Sequence, residues 1–92
     1  MNHMRRYHTL LEKEGGVWVI AFGDYNKSLV HAERDELWYS YQIDMIGKPR
    51  KGRLKKDELL KIITTADNQV SINKAVASEN FLLKVQAPVE GV

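Results

Sequence analysis

Ser28, His31 and Asp35 are the nearest approach in this chain to a nucleophile, base and orienting acid. In a helix, Ser28 and His31 fall one turn apart and Asp35 follows His31 at i+4, so all three share one face. Acyl transfer also needs an oxyanion site and a pocket that excludes water, and neighbours on one solvated helix face supply neither. Glu33, Asp35 and Glu36 form the densest acidic group. Paired carboxylates do acid–base work where burial separates their pKa values. Flanked by Lys27 and Arg34, these three are expected to form surface ion pairs. The histidines are His3, His8 and His31, and none has metal-ligand spacing with another histidine or a carboxylate cluster. P-loop, dinucleotide-binding, nucleophile-elbow and zinc-protease signatures are all missing. The sequence therefore reads as a non-enzyme with no cofactor and no metal.

Charge is more informative than catalysis. KPRKGRLKK, Lys48 to Lys56, holds six of the fourteen Lys and Arg residues and no acid. The other 83 residues carry 8 basic and 12 acidic groups, a formal charge of −4, so the net +2 conceals an acidic body with a basic segment. Six cations within nine residues repel one another, and a turn does not require that repulsion. Lys48, Arg50, Lys51, Arg53, Lys55 and Lys56 are accordingly the candidate residues for contact with a polyanion or an acidic protein surface. Arg5 and Arg6 would extend the patch if their end of the first strand lay beside it. Trp38 and Tyr41, toward the end of a helix that leads into the basic segment, are the candidate apolar hot spots.

Ninety-two residues are enough for one domain with one small core. With 43% hydrophobic and 28% charged residues the chain is of ordinary globular composition. Zero cysteine excludes disulfides, thiolate nucleophiles and cysteine-based zinc sites, and fits a reducing cytoplasm. No apolar run approaches the ~20 residues that span a bilayer, and the N-terminus lacks the apolar stretch of a secretory signal.

These residues need elements to position them. Arg5 to Lys13 reads as a strand and Val17 to Gly23 as its hairpin partner, joined through Gly15-Gly16, which supply the positive φ of a tight turn. Period-two alternation puts Trp18, Ile20 and Phe22 on one face and Val17, Val19 and Ala21 on the other, so both faces are apolar. A helix from Lys27 to about Gln42, capped by Asn26 or Asp24, carries Leu29, Val30, Leu37, Trp38 and Tyr41 on one side. Ile43 to Gly52 reads as irregular, Leu59 to Thr65 as a third strand, and Asn68 to Asn80 as a second helix capped by Asp67. Phe81 to Val85 fits either an extension of that helix or an edge strand, and 87–92 reads as a frayed tail. The order β-β-α-β-α predicts an α+β fold: a small antiparallel sheet of three or four strands, the first strand central and the third beside it after a right-handed crossover. One main helix would cover one sheet face, leaving the other for the second helix, a dimer mate or a partner.

Arg5 to Leu37 and Leu59 to Asp67 resemble small proteins encoded by phages and prophages. The shared features are a hairpin with Trp18 in its second strand, the run Phe22-Gly23-Asp24-Tyr25-Asn26-Lys27, Val30, Glu33 and Glu36 in the helix, and Leu60-Lys61-Ile62-Ile63. The basic segment is not part of that pattern. The likeness extends to anti-CRISPR proteins that bind the type I surveillance complex. It implies a stoichiometric inhibitor of host defence in the bacterial cytoplasm, docked on a multisubunit protein–RNA complex. The basic segment would then meet guide RNA, target DNA or acidic protein and block target-DNA recognition. A nucleic-acid-binding accessory protein and a homodimeric regulatory or structural phage protein are the other two readings.

Overall fold

The computed structural model describes residues 5–45 and 55–86. Strand β1 (Arg6–Glu14) turns through Gly15 and Gly16 into β2 (Val17–Asp24). The glycines take φ of +59° and +85°, the left-handed values that let a two-residue turn follow the strand twist. Helix α1 (Lys27–Met45), the single turn α2 (Lys56–Leu59), strand β3 (Leu60–Ala66) and helix α3 (Gln69–Gln86) complete the order. The sheet runs β2-β1-β3 with both pairs antiparallel, so β1 is central, as the sequence predicts. Its outer strands run parallel to each other and are joined by the long connection through α1.

Side chains leave a strand alternately to opposite sides, and neighbouring Leu10 and Leu11 are both wholly buried. Leu10 meets Val30 of α1 and Leu60, with Phe22, Leu37, Trp38, Tyr41, Leu59 and Ile62 packed around them. Leu11 meets Trp18 and Ile63 under Ala75, Val76 and Leu83 of α3. The sheet thus has α1 on one face and α3 on the other, and neither face is spare. Phe81 to Val85 is helical, because continuing α3 carries Leu83 over the second core.

The alternation expected along β2 fails at one position. Leu10 pairs with Phe22 but Leu11 pairs with Ile20, which leaves Ala21 as the extra residue of a β-bulge. Phe22 therefore joins the α1 core while Trp18 joins the α3 core, where a regular strand would have kept them on one face. Ile20 and Val17 stay about half exposed.

Both long helices begin on asparagine. Asp24 Oδ1 accepts from Asn26 N at 2.7 Å, and Asn26 Oδ1 accepts from Ser28 N at 2.9 Å, so Asn26 caps α1 and Asp24 fixes the cap. Asn68, not Asp67, caps α3 through Ser71 N at 2.8 Å. Asp67 instead accepts from the Tyr25 hydroxyl at 3.2 Å. The α2 turn takes in Lys56 of the basic segment and Leu59, which was expected to open the third strand, and it ends where Leu60 N–H donates to Lys56 O.

Trp18 fills the second core and lies only 6% exposed. Trp18→Ala is expected to cost about 3–5 kcal/mol, a large share of a small domain's stability, read as a lower urea midpoint. Thr9 is wholly buried on β1, and among the described residues its Oγ1 has no hydrogen-bond partner. Thr9→Val keeps the shape and removes that desolvated hydroxyl, so it is expected to raise stability by about 1 kcal/mol in the same measurement.

Candidate polyanion-binding surface

Lys48, Arg50, Lys51 and Arg53 lie outside the described residues, whereas Lys55 and Lys56 lead into α2. Lys56 Nζ donates to Asp35 Oδ1 at 2.7 Å, tying the end of the basic segment to α1. That hydrogen bond, with the ammonium charge behind it, holds the Asp35 carboxyl below its ordinary range. Asp35 is thus paired with Lys56, where the sequence reading had paired the acidic cluster with Lys27 and Arg34. Its carboxylate is bonded to Lys56, and Ser28 is exposed on the first turn.

Arg5 and Arg6 stand at the other end of β1 from Lys56. Arg6 pairs with Ala66 at the end of β3, whereas α2 precedes Leu60, which pairs with Glu12 six residues along the strand. At a strand rise of about 3.3 Å per residue, the two ends are about 20 Å apart. Arg5 instead stacks over the Tyr25 ring, 3.9 Å from its centroid, and Tyr25 meets Tyr7 edge to face at 5.1 Å. Tyr7 lies against Gly23 so closely that a Cβ there would sit 2.5 Å from its hydroxyl. This end of the sheet therefore has its own aromatic clasp.

Trp38 and Tyr41 are half-buried and pack against Leu10, Val30 and Leu60. Their rings belong first to the core over β1. The Tyr41 hydroxyl donates to Glu12 Oε2 at 2.5 Å, joining the end of α1 to the central strand. That bond, with burial and the carboxylate charge added, pushes the Tyr41 phenol up to about 12.

A row of basic side chains that the contiguous basic segment overshadows stands on α1 itself. Lys27, His31 and Arg34 follow one another at i, i+4 and i+7, so they share a face. With Leu60, Lys61, Ile62 and Thr64 of β3 and Asp57 of α2 they line a cleft of ≈ 440 Å³. Arg34 lies one turn from Val30 and one from Trp38, on the side of α1 that faces the sheet. Among the described residues its Nε is buried without a hydrogen-bond partner. Helical spacing in the sequence was the signal for this row. The dense run at Lys48 to Lys56 drew attention from it.

A second, apolar surface lies on α3. Val70, Phe81 and Val85 are each more than 60% exposed. Beside them runs a groove of ≈ 520 Å³ lined by Val17, Ala77, Phe81 and Leu83. The described helices include none long and apolar enough to cross a membrane. No group of three or more His, Asp or Glu stands where it could hold a metal ion among the described residues.

The Tyr41–Glu12 bond sets a pH window. The folded pKa is raised above the unfolded value near 10, so the contribution is complete below pH 10 and disappears as pH rises through about 12. The urea midpoint of the parent protein is expected to fall more steeply between pH 10 and 12 than that of Tyr41→Phe. Equal slopes for the two proteins would remove the bond from the list of stabilising contacts. No protein-family model matches the chain, and no curated protein or solved structure matches it.

Proposed function

We propose that this chain is a non-catalytic binding protein that docks on a host nucleoprotein complex through its cationic side. It acts as a stoichiometric inhibitor of the phage-encoded kind that its sequence resembles. The observation that carries the reading is convergence of charge. The segment Lys48 to Lys56 ends at α2, whose Lys56 is anchored to Asp35 beside the Lys27–His31–Arg34 row. Lys56, at the described end of the basic segment, thus stands against the helix that carries the second group of basic side chains. A spread of fixed positive charge attracts phosphate backbones at long range and weakens steeply with salt. The target in this reading is a type I CRISPR–Cas surveillance complex in the bacterial cytoplasm. The cationic side meets guide RNA or the channel for target DNA, and blocks hybridisation. Trp38 and Tyr41 support the surface from the core beneath it and are not its leading anchors.

The exposed Val70, Phe81 and Val85 favour a second reading, a homodimeric regulatory phage protein. With both sheet faces covered, its interface is the outward side of α3 and not a sheet face.

Replacing Lys48, Arg50, Lys51 and Arg53 together by Glu separates these readings. Exposed charges usually contribute within about 0.5 kcal/mol to folding, so the melting temperature is expected to stay close to that of the parent. Binding to the purified surveillance complex, followed by co-sedimentation at two salt concentrations, is expected to be lost, together with protection of an infecting phage. Full protection by the reversed-charge protein would refute the electrostatic reading. A concentration-dependent dimer abolished by Phe81→Glu would move function to α3.

A further inference from the structure

The two edges of this sheet are unlike. On β2, Trp18 N–H donates to Asn80 Oδ1 at 2.7 Å and Asn80 Nδ2 donates to Trp18 O at 3.2 Å. One side-chain amide of α3 thus occupies both backbone groups that Trp18 turns away from β1. Antiparallel hydrogen bonding alternates, so the Lys13 groups opposite Trp18 point toward the β3 side, as do those of Leu11 and Thr9. Their partners Lys61 and Ile63 bond inward to β1, which turns the backbone groups of Leu60, Ile62 and Thr64 outward. The Leu60 N–H agrees with this, since its partner is Lys56 O of α2 and not β1. Among the described residues no strand lies beyond β3, so Ile62 and Thr64 present outward N–H and C=O groups along the cationic cleft.

We infer that the outer edge of β3 takes up an extended acidic peptide segment as a fourth strand, with its carboxylates seated on Lys27, His31 and Arg34. A peptide backbone supplies both acceptors and donors for Ile62 and Thr64, whereas a phosphate chain supplies acceptors alone. Arg34 lines the cleft, and the forked N–H groups of a guanidinium match a carboxylate. Alternate residues of an added strand point to one face, so acids at every second position face α1 together. Asp57 also lines the cleft and repels a carboxylate set next to it, so it restricts where along the segment the acids can stand. The residues of this site belong to α1, α2 and β3 and do not include Lys48, Arg50, Lys51 or Arg53, so the two groups are varied separately.

The test uses the full chain and a fluorescein-labelled twelve-residue peptide of alternating glutamate and valine, titrated by anisotropy. Saturable binding is expected, weakening at least tenfold in Lys27→Glu and in Arg34→Met, which keeps the buried stem and removes the guanidinium. Hydrogen exchange at the Ile62 and Thr64 amides is expected to slow at least tenfold on saturation. The quadruple Glu variant at Lys48, Arg50, Lys51 and Arg53 retains peptide binding. Lys27 is exposed, so its variant remains informative even if Arg34→Met is unstable. Absence of binding overturns the inference. So does binding that leaves Ile62 and Thr64 exchanging at the unbound rate, or displacement of the peptide by a single-stranded oligonucleotide that leaves those amides unprotected.

Discussion

Leu10 and Leu11 are adjacent, lie in the central strand and are both wholly buried, and most of the architecture follows from that pair. A strand cannot bury two successive residues against one layer, so each face of the sheet must carry its own cover. In this chain α1 supplies one cover and α3 the other. The cores this produces are small, three wholly or nearly buried side chains each, surrounded by half-exposed neighbours. Polar ties then fix what apolar area alone leaves loose. Tyr41 to Glu12 holds α1 to β1, Lys61 to Glu79 holds β3 to α3, and Asn80 holds α3 to β2.

The bulge at Ala21 serves the same requirement. Phe22 and Trp18 are the large aromatics of β2, and each core receives one of them because a single extra residue inverts the alternation between them. A regular β2 would load both rings onto one side and leave the other core without its largest member. The Lys13 ammonium, 5.1 Å from the centre of the Trp18 ring, then closes that core from solvent at the hairpin end.

Local chemistry made part of this legible from sequence. Gly15-Gly16 specified the hairpin, Asn26 lay at the start of α1, and the crossover through a helix put β1 in the middle. The bulge was hidden because both faces of β2 are apolar, so a shift of one residue leaves the hydrophobic pattern unchanged. Phe81 to Val85 was ambiguous for a related reason. Leu83 faces the core while Phe81 and Val85 face out, and a helix apolar on two sides shows no clear period. The α2 turn is one turn long and has no side-chain cap, so nothing in its sequence announces it. At the candidate surface, the contiguous cations were visible as a run. The Lys27–His31–Arg34 row needed the helix and its distance from β3 before it became a cleft wall.

The amide of Asn80 has a consequence for assembly. By occupying both outward groups of Trp18 it does for β2 what a neighbouring strand would do, and so terminates the sheet on that side. Head-to-tail stacking, in which β3 of one molecule meets β2 of the next, would have to break this bond at every joint. Pairing of β3 with β3 leaves only terminated edges outward and closes on a twofold axis. Edge-to-edge contact between copies therefore meets less resistance at β3 than at Trp18 of β2. Asn80→Ala would free the two outward groups of Trp18 and remove that difference between the edges.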